Sequence, residues 1–127
     1  GFWALERDDE GFIGFTGLRR VPAGIPPSPA VEVGWRLARE HWGQGLAPEA
    51  ARAALAYGFG QLGLTEIVSF TAEINLPSRR VMEKIGMTHD PERDFDHPRV
   101  PADSPLRHHV LYSTSTAPAD FAASLQP

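Results

Sequence analysis

The stretch Val31-Glu-Val-Gly-Trp-Arg-Leu37, a polar link and then Trp42-Gly-Gln-Gly-Leu-Ala47 constrain this chain more than any other part of it. Val31, Val33, Trp35 and Leu37 alternate with Glu32, Gly34 and Arg36, the period-two pattern of a strand. Gly43 and Gly45 then permit a tight turn and a close approach of backbone to a ligand. Pro48 and Glu49 suit a first helical turn, since proline forfeits no needed N–H there and a carboxylate faces the positive helix end. A glycine turn feeding a helix N-terminus is a ready anion site. The same order also serves as a plain strand–helix connection, and a lone Gly-x-Gly does not separate the two. A Walker-type phosphate loop ends in Gly-Lys-Ser/Thr, where this chain has Gly45-Leu46-Ala47. A dinucleotide fingerprint needs a third small residue where Pro48 stands, although Glu66 lies about 20 residues on, as a ribose contact would require. Both fit poorly.

With 127 residues, 42% hydrophobic and 22% charged, the chain is sized for one globular domain with a real core. A net charge of −4 argues against nucleic acid as partner, which calls for a basic face. The lack of cysteine excludes disulfides, a thiol nucleophile and a thiolate metal site. No apolar run reaches the roughly 18 residues of a membrane span, so no membrane partner and a cytoplasmic location are expected.

Phe2–Leu5 reads as a strand, Asp8–Gly11 as a turn and Phe12–Leu18 as the returning strand. Gly14 and Gly17 weaken that strand and mark a bulge or a close approach. Residues 22–29 carry four prolines and read as a loop, so the strand at 31–37 completes an antiparallel meander. A helix follows from about Ala47 to Leu62, with Ala47, Ala51, Ala54, Leu55, Gly58, Phe59 and Leu62 on one stripe. Most of that stripe is small, which predicts close packing on a sheet, and Gly63 is the expected stop. Ile67–Ala72 reads as a buried strand, parallel to 31–37 because a helical crossover joins them. Asn75 caps a second helix, Pro77 suits its first turn, and Val81, Met82 and Ile85 form its apolar face up to Gly86. His89–Leu106 has no periodicity and reads as a long loop, and His109–Ser113 as a last strand. The expected fold is α/β, a mixed and mostly antiparallel sheet with helices packed on it.

Trp42-Gly-Gln-Gly-Leu-Ala47, followed by Glu49-Ala50-Ala51, resembles the acetyl-CoA pyrophosphate loop of the GNAT superfamily of N-acetyltransferases. Asn75-x-x-Ser78-x-x-x-Met82-x-Lys84-x-Gly86-Met87 resembles its second motif, usually Asn-x-x-Ala-x-x-x-Tyr-x-Lys-x-Gly-Phe. Read alone, the second stretch is a capped amphipathic helix. The two in family order, with a helix and a strand between, are specific for fold and donor and silent about the acceptor. Tryptophan opening the loop, in place of the usual arginine or glutamine, and Ser78 in the small position are similar to the branch containing the RimJ and RimL ribosomal-protein acetyltransferases. The resemblance implies a GNAT-like domain over residues 1–115; the remaining residues, 116–127, read as a flexible tail with Phe121 and Leu125 docking weakly. It implies acetyl-CoA as donor, its diphosphate on Trp42, Gly43, Gln44, Gly45, Leu46 and Ala47, held more by backbone N–H groups than by a side chain. Trp35, Arg36 and Leu37 would present backbone to the pantetheine arm, with Asn75 and Ser78 beside it or the sulfur.

Acetyl transfer from a thioester needs orientation, removal of a proton from an ammonium and stabilisation of an oxyanion. The motif tyrosine that would protonate the thiolate is Met82 here, which cannot donate. Ser78, one turn earlier on the same face, is the nearest hydroxyl, suited to orienting a water or bonding the sulfur. Glu32 is the first candidate base, since it points away from Val31 and Val33; a solvent-exposed strand carboxylate is its ordinary alternative. His109 is the second, because imidazole titrates near neutral pH. Adjacent histidines on a strand point to opposite faces, so His108 and His109 do not share an ion and no metal is expected. The expected function is acetyl transfer to a primary amine, either a protein N-terminal α-amine or a small molecule, by direct attack in a ternary complex. A non-catalytic acyl-CoA-binding or regulatory domain is the alternative. The first residues resemble the second strand of the family fold, so its N-terminal strand and helices are expected from a longer polypeptide or from a partner copy in a homodimer.

Overall fold

A seven-stranded sheet forms the frame of the computed structural model, which describes residues 2–7, 11–37 and 42–118. β1 (Phe2–Arg7), β2 (Gly11–Arg20) and β3 (Val31–Leu37) make the antiparallel meander that their alternation predicts. β2 outruns its expected span because Arg19 and Arg20 continue the ladder opposite Glu32 and Val31. Leu5 pairs with Gly14 while Glu6 pairs with Phe12, so Ile13 is the extra residue of a bulge beside Gly14. Three residues of the expected Asp8–Gly11 turn, 8–10, lie outside the described residues, as does 119–127 with Phe121 and Leu125.

α1 (Leu46–Gly60) carries the chain over to β4 (Ile67–Ala72), which is parallel to β3. α2 (Leu76–Lys84) follows, and β7 (His108–Thr114) returns antiparallel along the other side of β4. The stretch expected as a structureless loop contains β5 (Thr88–His89), a 3₁₀ turn at Pro91–Arg93 and β6 (Phe95–Asp96). Both short strands pair with β7. Two residues are too few for a period to show in sequence, which is why they read as loop. The sheet order is β1-β2-β3-β4-β7-β5, with β6 also on β7. No helix among the described residues is long and apolar enough to cross a membrane.

The main core lies between the sheet and the helices, built from Leu18, Val33, Ala51, Leu55, Ile67, Met82, Ile85 and Tyr112 among others. Ala47, Ala51, Ala54, Leu55 and Gly58 of the predicted stripe are buried, but Leu62 lies beyond the helix end and is 52% exposed. The helix stops earlier than the stripe because Gln61 caps it, donating its N–H to Tyr57 O. A Cβ at Gly58 would stand 2.7 Å from Ile67 Cδ1 and 2.9 Å from Leu18 Cδ1, so glycine here sets how closely α1 approaches the sheet.

A second cluster, Val21, Ile25, Val68, Phe95 and Leu111, occupies the opposite face. Part of it is roofed by the proline-rich loop, which closes with Val21 N–H on Ala30 O at 2.8 Å. Single apolar residues among prolines give no periodic signal, so their burial was not legible.

Gly58→Leu is expected to cost about 1–3 kcal/mol by overpacking, with Gly58→Ala milder because alanine regains about 1 kcal/mol of helix propensity. Urea titration monitored by circular dichroism, with the slope unchanged, checks both.

Candidate active site

β3 and β4 run seven and six residues but share one registered pair, Glu32 with Val68. Beyond it they diverge. At the fork, the buried Ser69 hydroxyl donates to Val33 O at 3.0 Å and closes the gap by a side chain rather than by the ladder. β3 stays paired to β2 as far as Leu37, so its other edge, from Gly34 onward, presents peptide groups with no β4 partner in register.

The divergence opens a cleft of about 930 Å³, in the range of small-molecule sites. Gly34, Trp35 and Arg36 form one wall, and Ser69, Phe70 and Thr71 with the first turns of α2 form the other. One end reaches the loop Trp42–Pro48 at the start of α1; the other reaches Phe15, Arg19 and Glu32. Gly43 and Gly45 hold φ of +78° and +76° with open space where a Cβ would sit. Glycine is therefore required by the backbone conformation and not by crowding. Gly45 is the N-cap of α1, whose first-turn N–H groups have no intrahelical acceptor and open onto this end of the cleft.

Of the residues predicted to hold the donor, Trp35, Arg36, Trp42, Gly43, Gly45, Leu46, Ala47, Asn75 and Ser78 line the cleft. Gln44 is exposed and does not line it, and the side chain of Leu37 lies outside what the structure describes. Asn75 caps α2 as expected: Ser78 N–H donates to Asn75 Oδ1 at 3.3 Å. Met82 is 1% exposed and turned into the core, as a thioether at this position permits. Arg80 and Lys84, one turn apart on α2, also line the cleft. Lys84 stands in the second motif without an expected role, and Arg80 carries no signal of its own in the sequence.

Glu32 is not the solvent-exposed strand carboxylate of the ordinary reading. It is 6% exposed, and Arg19 Nε donates to its Oε1. Burial pushes its carboxyl above the ordinary value, and the Arg19 hydrogen bond and charge oppose that. It sits at the far end of the cleft, across the sheet from the helices.

His109 lies outside the cleft, in an adjoining hollow. Its Nδ1–H donates to Arg107 O at 3.1 Å, and burial lowers its pKa. His97 lies close by, its ring tilted by 52° with centroids 4.9 Å apart. His108 points the other way as strand alternation requires, to Asp96 at 3.0 Å. Among the described residues no group of three or more His, Asp or Glu could hold a metal ion.

Residues 1–88 match the family described as acetyltransferase (GNAT) domain, and the chain belongs to that family. It is 39% identical over 93 residues to the FsC-acetyl coenzyme A-N(2)-transacetylase of Aspergillus fumigatus, a match covering 70% of this chain and 39% of that protein. An acetyltransferase from Agrobacterium tumefaciens superposes with a TM-score of 0.70 at 30% identity, over 91% of this chain and 61% of the other. The ribosomal-protein-S5-alanine acetyltransferase from Vibrio fischeri superposes with a TM-score of 0.71 at 18% identity, over 99% and 63%, a likeness of fold. The chain spans less than two thirds of each of these proteins.

Because the folded chain holds the Glu32 proton to higher pH than an unfolded one, the linked stability is present at low pH. It is lost as pH rises from 4.5 through the raised pKa. Glu32→Gln should flatten that part of the stability profile and Arg19→Met should steepen it, as thermal melts from about pH 4 to pH 7 will show.

Proposed function

We propose that this domain moves an acetyl group from acetyl-CoA to a primary amine, and the observation that carries the reading is the cleft opened by the β3–β4 fork. Its chemistry suits the donor from end to end. The glycine loop and the α1 N-terminus offer backbone N–H groups and a positive helix end to a diphosphate. Arg36, Arg80 and Lys84 add three cations without a carboxylate partner among the described residues. The unladdered edge of β3 can hydrogen-bond an extended amide chain as a missing strand would. The printed name of the Aspergillus relative, an acetyl coenzyme A transacetylase, is consistent with that donor. When bound, acetyl-CoA supplies an activated thioester.

The chain's own residues then have three tasks. A backbone N–H near Leu37 polarises the carbonyl being attacked. Glu32, poised by burial against Arg19, takes the ammonium proton directly or through one water. Ser78 orients a water or bonds the departing sulfur. In this reading attack is direct, in a ternary complex, and the lack of cysteine in the chain leaves no thiol for an acyl-enzyme. An α-amine near pKa 7.7–8.0 is partly neutral at neutral pH, whereas lysine near 10.4 is not. A site with a single weak base therefore favours an α-amine or a small amine metabolite, in keeping with the RimJ/RimL-like features at Trp42 and Ser78. The buried Met82 favours one second reading, a domain that binds acyl-CoA without turnover. Thiol release over an amine panel separates the two.

Gly45→Glu should abolish acetyl-CoA binding in calorimetry by placing bulk and negative charge at the diphosphate. Gly45→Asn, which tolerates the left-handed conformation, should retain much of the affinity. Equal affinity in Gly45→Glu and the parent would remove the donor site. Glu32→Gln should lower kcat at neutral pH and recover in part as pH rises, while Ser78→Ala slows turnover with little change in donor affinity. Parent rates in both variants would move proton handling elsewhere, His109 being next.

A further inference from the structure

We propose that the acceptor's carbon skeleton docks in the hollow beside the cleft, and that the domain therefore prefers amines bearing an uncharged hydrocarbon group over polyamines. This rests on the acetyl-transfer reading above and adds the acceptor class. The hollow, about 490 Å³, shares Thr71 and Asn75 with the cleft, so an amine held in one places its substituent within reach of the other. Ala72 ends β4, Ile74 lies in the turn after it, Val100 and Leu106 are in the loop before β7, and His109 is on β7. No Asp, Glu, Lys or Arg is among these lining residues.

Three charges on the neighbouring segments are engaged with other groups. Glu73 faces His108 at 3.8 Å, Asp96 bonds His108 at 3.0 Å, and Arg107 Nη1 donates to Val100 O at 2.6 Å. The His109 ring packs against Phe70 and His97, and its pKa is lowered, so it stays neutral at neutral pH. Ile74 and Leu106 are 56% and 50% exposed at the rim, large apolar groups next to the cleft. A second ammonium entering here would lose hydration with no carboxylate among the lining residues to replace it. A hydrocarbon chain would gain by leaving water.

Steady-state kcat/KM for hexylamine and phenethylamine against spermidine tests this directly. The apolar amines should lead by roughly tenfold or more. Leu106→Asp, at a half-exposed position outside the cleft, should lower kcat/KM for hexylamine about tenfold through KM and narrow the gap to spermidine, with the acetyl-CoA affinity unchanged. Preference for spermidine in the parent, or an unchanged preference in Leu106→Asp, overturns the proposal alone. Failure of the parent to bind acetyl-CoA in calorimetry overturns the acetyl-transfer reading and this with it. If the donor binds but no amine turns over, hexylamine titration followed by the His109 ring resonances decides: a saturable shift supports the docking site and none overturns it.

Discussion

The separation of β3 from β4 after one registered pair is the constraint on which the rest of the site depends. Each strand is firmly laddered on its other side, β3 to β2 over seven pairs and β4 to β7 over six. The sheet therefore behaves as two stiff halves joined at Glu32–Val68 and at the Ser69 hydroxyl. The helices follow the same division for the most part: α1 packs mainly on β2 and β3, meeting β4 at Ile67, and α2 packs on β4. Peptide groups along the fork forgo a ladder, which a folded chain tolerates where water or a ligand satisfies them. A continuous parallel ladder would be the more stable sheet, and it would have no cleft.

Small residues set the level of α1 against that fork. Ala47, Ala51, Ala54 and Gly58 let the helix lie close on the sheet, so its N-terminus and the Gly43–Gly45 turn come level with the open edge of β3. A bulky stripe would lift the helix and draw the N–H groups away from the open edge of β3. Asn75 has a comparable double role on the other wall. It caps α2 through Ser78 N–H, and it lines both the cleft and the hollow beside it.

These dependencies explain what could be read from the chain alone. The meander, the crossover and the parallel pair followed from period and connection length, as did the glycine turn and the Asn75 cap. Alternation gives the face of a residue but not its depth, so Glu32 was placed on the correct face while its burial under Arg19 was not foreseen. Val21 and Ile25 lie in a proline-rich loop, and β5 and β6 have two residues each; none of these carries a period. The place of His109 beside the cleft depends on how the loop before β7 folds back, a contact between segments with no local signature.

The position of Glu32 shows how core packing fixes chemistry. A strand slipped by one residue turns every side chain to the other face. Such a slip in β3 would bring Glu32 under α1 and send Val33, now 1% exposed in the core, to the far side of the sheet. Burying an unpaired carboxylate among Leu18, Leu55 and Ile67 would cost far more than any ladder bond returns. The register that keeps Val31, Val33 and Trp35 against the helices is therefore the register that holds the carboxylate across from Arg19 at the fork. Hydrophobic alternation, which has no chemistry of its own, decides which face of the sheet receives the carboxylate.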